Sequence, residues 1–160
     1  MKVGFVLLDG ELTGGQVVAL QLVRGVRAAG HDAVAVLPVD GPIRALLEEA
    51  GATVRITQLT RSYRVDQAVT LARLLSRDRI DIVDTHTLYV GNQLAAIAAR
   101  LARIPLVVHS HIEERYHPSG AVRSAQRLLN RLTRGDATTV AVSGYLRDLL
   151  VRQGGDPGRI

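Results

Sequence analysis

The sequence predicts an α/β protein with a doubly wound, mainly parallel sheet of six or seven strands. Short runs rich in valine, isoleucine and leucine alternate along the chain with longer segments whose apolar residues recur at helical spacing. Parallel strands require crossover connections, and the helical segments supply them. The 160 residues, 47% hydrophobic and 22% charged, fit one globular domain, which we expect to span residues 1–160.

Each predicted strand is a short, mostly apolar run with several β-branched residues. In chain order the strands are expected at residues 3–8, 33–37, 53–57, 80–85, 106–109 and 138–142. The first run is cut by Asp9, and the fifth begins directly after Pro105, which cannot continue the preceding helix.

Each predicted helix carries apolar residues three or four positions apart. In chain order the helices are expected at residues 16–29, 42–50, 66–76, 91–103, 119–134 and 145–153. Gly30 and Gly51 are expected to end the first two, because glycine readily adopts the left-handed conformation found after helix ends. Ser143 is expected to cap the last helix.

Ligands of an open α/β sheet bind beyond the carboxyl ends of the strands. The loops expected there are residues 9–15, 40–42, 58–64, 85–92 and 110–120, with 143–144 nearby. Gly14 and Gly15 end the first loop, where backbone N–H groups at a helix start can approach a phosphate. A tight strand-to-helix turn explains the same pair. The dinucleotide fingerprint and the Walker pattern are both missing.

Three histidines end two neighbouring predicted strands. His86 closes the fourth strand, and His109 and His111 close the fifth. We expect His86 and His111 to meet at the ligand-binding edge, where hydrogen bonds to a polyhydroxyl or phosphate ligand are one interpretation. A structural role is another, and His31, at the opposite edge, fits that role well. The third is a metal site. Its further ligands would come from Glu113, Glu114 and His117.

Charge and aromatic content exclude some classes of partner. The net charge is +5, and residues 101–160 carry nine basic against five acidic side chains, which suits phosphates or an anionic membrane surface. Four tyrosines and one phenylalanine are too few for the stacking platforms of single-strand binders, so we expect no nucleic-acid partner. Without cysteine, disulfides and thiolate metal sites are excluded.

The helix expected over residues 119–134 carries a row of arginines: Arg123, Arg127, Arg131 and Arg134. A solvated face explains this row better than contact with anionic lipid headgroups, which stays an alternative. No apolar run reaches the roughly 18 residues of a membrane span, and the first run is shorter than a signal-peptide core. We therefore expect a cytoplasmic protein with at most peripheral membrane contact.

Four segments stand in the order and spacing of one family's motifs. They are Gly14-Gly15 with Gly30-His31-Asp-Ala-Val-Ala-Val36, Asp81-Ile-Val-Asp-Thr-His86, Ile104-Pro-Leu-Val-Val-His-Ser-His111, and Ala141-Val-Ser-Gly-Tyr-Leu-Arg-Asp-Leu-Leu150. Together they resemble the N-terminal domain of retaining glycosyltransferases of family 4 (group 1), which have the GT-B fold. The resemblance implies a Rossmann-like acceptor-side domain of a hexosyltransferase, which moves a sugar from a nucleotide-sugar donor to an acceptor.

The resemblance also implies roles for individual residues. His111 would contact the transferred sugar as the catalytic residue, and Gly14 and Gly15 would approach the donor phosphate. The expected acceptor-binding residues are Thr13, Arg61, Arg64, His86 and Thr87. The acceptor would be a sugar, a lipid-linked compound or another small molecule. The resemblance implies no metal and no cofactor.

The sequence departs from the family pattern in three ways. Asp84 stands where many members have a histidine, and Ile112 follows His111 where a small residue is common. The family's second domain has two glutamates separated by seven residues, and no glutamates here have that spacing. We therefore expect the C-terminal nucleotide-sugar-binding domain to be absent from this chain, and the chain alone to be inactive.

Two alternatives to an inactive enzyme half stay open. The chain could be a non-catalytic binding module or one subunit of a split glycosyltransferase. With less support, it could be a metal-dependent hydrolase built on His86, His109 and His111.

Overall fold

The computed structural model describes residues 1–57, 65–88, 90–112, 120, 124, 128 and 135–160. The described strands are β1 (Lys2–Leu7), β2 (Asp32–Leu37), β3 (Thr53–Ile56), β4 (Ile82–His86), β5 (Leu106–Ser110) and β6 (Thr138–Ala141). They form one sheet in the order β3-β2-β1-β4-β5-β6, and every neighbouring pair is parallel. The predicted doubly wound α/β sheet is confirmed.

Helices connect the strands as crossovers. The described helices are α1 (Gly14–Ala28), α2 (Ile43–Glu49), α3 (Val65–Arg77), α4 (Val90–Ala102) and α5 (Gly144–Arg152), followed by a short 3-10 turn, Pro157–Arg159. The helix predicted over residues 119–134 lies outside the described residues, except for Gly120, Ser124 and Leu128, which are helical. Among the described helices, none combines the length and the apolar character needed to cross a membrane.

Two apolar layers, one on each face of the sheet, hold these elements together. On one face, Phe5 and Leu7 of β1 pack in a cluster with Val23 of α1 and Leu47 of α2. On the other face, Val6 of β1 joins the apolar sides of α3 and α4. Successive side chains of a strand point to opposite faces, so β1 is buried on both. Each large apolar side chain buried in this way contributes about 1.5–3 kcal/mol.

Helix ends follow the predicted signals. Gly30 and Gly51 have φ angles of +77° and +87°, the left-handed conformation expected after α1 and α2. The Ser143 hydroxyl accepts a hydrogen bond from the N–H of Leu146 at 3.2 Å and so caps α5 as predicted. Ile80 was predicted to open the fourth strand, but its N–H donates to the carbonyl of Leu75 and completes the end of α3. Strand β4 therefore starts two residues later.

Close backbone contact joins the loop after β1 to the loop after β2. The carbonyl of Gly10 accepts a hydrogen bond from the N–H of Ile43 at 3.1 Å. A Cβ atom on Gly10 would lie 2.8 Å from the backbone of Asp40 and Gly41, so this contact requires glycine. The contact fixes the loop that leads into α1, and with it the start of that helix.

We expect Gly10→Ala to lower the free energy of unfolding by about 1–3 kcal/mol, because the added methyl group forces the two loops apart. Gly25→Ala is the matched control, since a Cβ at this position of α1 meets no atom within 4 Å. The control should raise stability by about 0.5–1 kcal/mol. Urea unfolding followed by circular dichroism measures both, and equal effects would contradict the proposed close contact.

Candidate functional site at the carboxyl edge of the sheet

A crevice is expected between β1 and β4, where the order of the sheet reverses. The chain leaves β1 through α1 on one face and leaves β4 through α4 on the other. In sheets of this kind the two departing helices open a ligand-binding crevice at the carboxyl edge. Asp84 and His86 alternate with Val83 and Thr85 along β4, so the acid and the histidine lie on the α1 face.

Three imidazole rings form a histidine cluster, composed of His86, His109 and His111. Nδ1 of His86 lies 3.0 Å from Nε2 of His111. The rings of His86 and His109 stack with their centroids 4.4 Å apart. His86 and His109 are buried, whereas His111 is half-buried. The structure thus places His86 and His111 in direct contact and adds His109 to them.

The buried carboxylate of Asp84 lies behind two of the rings. Its Oδ1 atom is 3.5 Å from Nε2 of His86 and 3.4 Å from Nε2 of His109. Burial acts to raise the pKa of Asp84, but the interactions with His109 and His86 together outweigh it and hold the pKa below its usual range. The ionised carboxylate favours a proton on Nε2 of each neighbouring ring.

This proton placement determines the direction of the hydrogen bond between the rings. With its proton on Nε2, His86 can only accept at Nδ1, so Nε2 of His111 donates. The pKa of His111 is lowered, and burial is the largest cause. A neutral His111 that donates through Nε2 keeps a lone pair on Nδ1. That nitrogen can accept a hydrogen bond from a ligand hydroxyl.

The first turn of α1 faces this ring. The helix begins at Gly14, two residues earlier than predicted, so both glycines belong to the helix. A Cβ atom on Gly15 would lie 3.4 Å from Cδ2 of His111, whereas one on Gly14 would meet nothing within 4 Å. Gly15 is therefore the glycine next to the histidine cluster.

The backbone N–H groups of this turn are not capped within the described part of the chain. Thr13 is the N-cap residue, but its hydroxyl bonds to the side chain of Gln16 and not to the backbone. The first turn also contains no acidic side chain. Uncapped N–H groups at the positive end of a helix can bind an anion.

Two polar side chains that the sequence analysis did not single out hold this turn in place. Gln16 is 1% exposed, and its Nε2 donates to Oδ1 of Asp9 at 2.7 Å. Its Oε1 accepts the hydrogen bond of Thr13. The available sequence signal was a polar residue on the otherwise apolar, buried side of α1.

Thr87 lies on the α4 side and is buried. Its Oγ1 donates to Oδ1 of Asn92 at 2.8 Å and is 3.1 Å from Oγ1 of Thr85. A Cβ on Gly91 would lie 2.8 Å from the Thr87 side chain, so the start of α4 packs tightly here. The Thr87 hydroxyl fixes α4 to β4, and an acceptor could reach it only by displacing these bonds.

The remaining predicted site residues lie outside the described residues. In the loop after β3 these are Arg61 and Arg64. After β5 they are Glu113, Glu114 and His117, and in the predicted helix that follows they are Arg123, Arg127, Arg131 and Arg134.

Acid is expected to destabilise the fold through the histidine cluster. His111 has a folded pKa below its ordinary value of 6.5, so the unfolded chain takes up a proton first as the pH falls through that value. Asp84 has a folded pKa below its ordinary 3.8, so it adds a second loss at lower pH. Urea unfolding at several pH values from about 8 to about 4 measures the first loss.

We expect His111→Gln to flatten this dependence just below pH 6.5, because the unfolded chain then has one fewer group that protonates there. The separate loss due to Asp84 should persist at lower pH. A variant that keeps the full slope of the parent just below pH 6.5 would show that His111 does not carry it.

One family profile matches nearly the whole chain. Residues 13–160 match the Glycosyl transferase 4-like domain. The UDP-Gal:alpha-D-GlcNAc-diphosphoundecaprenol alpha-1,3-galactosyltransferase of Escherichia coli is 31% identical over 114 residues. That alignment covers 69% of this chain and 29% of the galactosyltransferase.

Solved structures show the same fold. A glycosyltransferase from Rickettsia africae ESF-5 superposes with a TM-score of 0.83 at 14% identity, over 99% of this chain and 41% of its own. Anabaena Alr3699/HepE, in complex with UDP and glucose, superposes with a TM-score of 0.74 at 20% identity, over 99% of this chain and 43% of its own. The chain thus spans less than half the length of these relatives. The profile match over residues 13–160 places the chain in the glycosyl transferase 4-like domain family.

Proposed function

We propose that the chain is the N-terminal, acceptor-side half of a retaining glycosyltransferase that uses a uridine-diphosphate sugar as donor. The position of Gly15 beside the His111 ring carries this proposal. A neutral imidazole that can accept from a hydroxyl lies beside uncapped N–H groups that can bind a phosphate. A nucleotide sugar presents both groups, a hydroxylated ring and a diphosphate, close together.

The relatives support the choice of donor and acceptor. The name of the Escherichia coli enzyme gives UDP-galactose as donor and a diphosphoundecaprenol-linked N-acetylglucosamine as acceptor. The Anabaena protein was solved with UDP and glucose. We infer a UDP-sugar donor and a lipid-linked acceptor for the protein to which this half belongs.

The second half would supply the nucleotide site. The chain spans 29% of the galactosyltransferase and 41–43% of the two solved chains. A further domain of the same protein, or a separate subunit, would bind the uridine diphosphate. It would also neutralise most of the charge that develops on the leaving group, usually the largest electrostatic contribution in such a transfer.

This half would orient the reactants. His111 contacts the transferred sugar, and the N–H of Gly15 approaches the donor diphosphate. His86 and Asp84 act as positioning residues, because they hold the His111 ring and determine which nitrogen donates. Holding the acceptor hydroxyl in attacking geometry beside the donor sugar lowers the entropic cost of bringing the two reactants together.

The acceptor would lie along the exposed edge of the crevice. Thr13, which is exposed at the start of α1, borders this edge. Arg61 and Arg64 would pair with the diphosphate of the acceptor, since guanidinium groups bind phosphate in bidentate fashion. The arginine row of Arg123, Arg127, Arg131 and Arg134 would contact anionic headgroups around a lipid-linked acceptor.

A binding and turnover experiment tests the proposal. The probes are UDP-galactose and an N-acetylglucosamine diphosphate carrying a short alkyl chain, added to isotope-labelled chain. We expect UDP-galactose to shift the NMR signals of His111 and Gly15, the acceptor probe to shift those of Thr13, and no galactose to be transferred. Transfer of galactose by this chain alone would overturn the proposal that a second half is needed for the reaction. Absence of any shift with both probes would overturn the binding role.

Gly15→Ala tests the phosphate contact. The methyl group fits sterically, at 3.4 Å from the His111 ring, but fills the space between the ring and the backbone. We expect the affinity for UDP-galactose to fall about tenfold or more, because the methyl group blocks one charge-assisted hydrogen bond to the diphosphate, and such a bond is worth about 1.5–3 kcal/mol. Gly25→Ala, farther along α1, should leave affinity unchanged. Equal affinities of the parent and Gly15→Ala would refute the contact.

A further inference from the structure

We propose that a cleft at the amino edge of the sheet binds a small anion with more than one phosphoryl group, such as inorganic diphosphate. The cleft has a volume of about 470 Å³, within the range of about 300–1,000 Å³ found for small-molecule sites. Its lining includes Lys2, Asp32 and Thr53, the first residues of β1, β2 and β3. The cleft therefore lies opposite the histidine cluster, and the proposal does not depend on the proposed transferase function.

Basic side chains outnumber acidic ones in this cleft. Two acidic residues, Asp32 and Asp78, line it together with five basic ones: Lys2, Arg27, Arg55, Arg77 and Arg79. Arg27 and Asp32 form an ion pair of 2.7 Å, so their charges balance. The C-terminal ends of α1, α2 and α3 add roughly half a negative charge each, which offsets only part of the remaining excess. A concave surface with an excess of positive charge attracts anions.

Asp78 holds three of these cations together. Its side chain is 8% exposed, and its carboxylate accepts hydrogen bonds from Nε of Arg55 at 2.8 Å and Nε of Arg77 at 3.1 Å. Its backbone carbonyl accepts a third bond from Nζ of Lys2 at 3.1 Å. Burial acts to raise the pKa of Asp78, but the bonds from Arg55 and Arg77 outweigh it and hold the pKa below its usual range. The carboxylate is therefore ionised, and the three cations exceed its single charge.

The two arginines bound to Asp78 keep donors for an anion. A guanidinium group has five N–H donors, and within the described part of the chain Arg55 and Arg77 each donate only through Nε. Their terminal nitrogen atoms are left for a ligand. Guanidinium groups bind phosphoryl oxygens in bidentate fashion, so these nitrogens suit a phosphorylated anion.

Arg79 occupies a backbone position that glycine usually takes. Its φ angle is +54°, in the left-handed region at the end of α3. Gly30, Gly51 and Gly154 adopt this conformation after α1, α2 and α5, because glycine has no Cβ atom to crowd the backbone. The exposed side chain of Arg79 lines the cleft and has no ion-pair partner among the residues that the structure describes. An unpaired charge kept at this conformational cost indicates an anionic ligand.

The lining residues also select the class of anion. Among the described residues, those that line the cleft include no aromatic side chain on which a nucleobase could stack. The apolar lining residues, Ala33 and Val34, are buried and offer nothing to insert into a lipid bilayer. The cations around Asp78 are several, which suits two phosphoryl groups better than one. These features favour a small phosphorylated anion over a nucleotide or a membrane surface.

NMR titration of sodium diphosphate into isotope-labelled chain tests the proposal, with sodium chloride at equal ionic strength as the reference. We expect diphosphate to shift the backbone signals of Lys2, Thr53 and Arg79, with a Kd below about 1 mM. The signal of Gly15 reports separately on any diphosphate bound at the start of α1. Shifts at Gly15 alone, or shifts at the cleft that sodium chloride reproduces, would overturn the proposal.

Two arginine-to-glycine variants separate the charge from the backbone conformation. Arg103 is also left-handed, with φ of +59° at the end of α4, but it does not line the cleft. Arg79→Gly and Arg103→Gly should both raise the urea midpoint of unfolding, because glycine relieves the backbone. Only Arg79→Gly should also weaken diphosphate binding, by about tenfold, as expected for one lost charge-assisted hydrogen bond. Equal diphosphate affinities of the two variants would contradict the proposed site.

Sedimentation with vesicles distinguishes a bilayer from a free anion. Vesicles that contain anionic phosphatidylglycerol should sediment the parent chain and Arg79→Gly to the same extent. If Arg79→Gly reduces vesicle binding and diphosphate does not shift the signals of the cleft, the ligand is a lipid headgroup and the proposal fails.

Discussion

The carboxylate of Asp84 lies within 3.5 Å of two imidazole rings, and the arrangement of the carboxyl edge depends on its charge. Its negative charge favours the tautomers of His86 and His109 that carry the proton on Nε2. In that tautomer His86 accepts at Nδ1, and His111 is the donor in the bond between the rings. The orientation of His111 beside α1 follows from that bond. Without the charge, either ring could donate, and no single arrangement would be selected.

The sheet provides the surroundings in which this charge can act. The registers of β4 with β1 and with β5 place Asp84 between Phe5 and Val107. Apolar layers on both faces of the sheet keep water away from the carboxylate, which strengthens its interactions with the rings. The apolar core therefore directly adjoins the polar residues of the crevice. The aromatic ring of Phe5 packs in the core, with its centroid 6.4 Å from that of His86.

Much of the fold was predictable because each strand and helix has a local signal. Alternating apolar runs, Gly30, Gly51 and Ser143 marked the elements and their ends correctly. The predicted start of β4 was wrong, because no sequence pattern indicates the backbone hydrogen bond from Ile80 to Leu75 that ends α3. In the sequence, Asp84 was notable only because it stands where many members of the family have a histidine. Its role depends on β5 lying beside β4, which is a property of strand order and not of any segment.

The backbone contact of Gly10 with Asp40 and Gly41 has a consequence for protein engineering. The backbones of the two loops pack directly against each other at the rim of the crevice, so a shift of one loop displaces the other. Replacing the loop after β2 alone would displace the loop after β1, tilt the start of α1 and change the distance from Gly15 to His111. Libraries that vary this rim should therefore exchange residues 9–13 and 38–42 together.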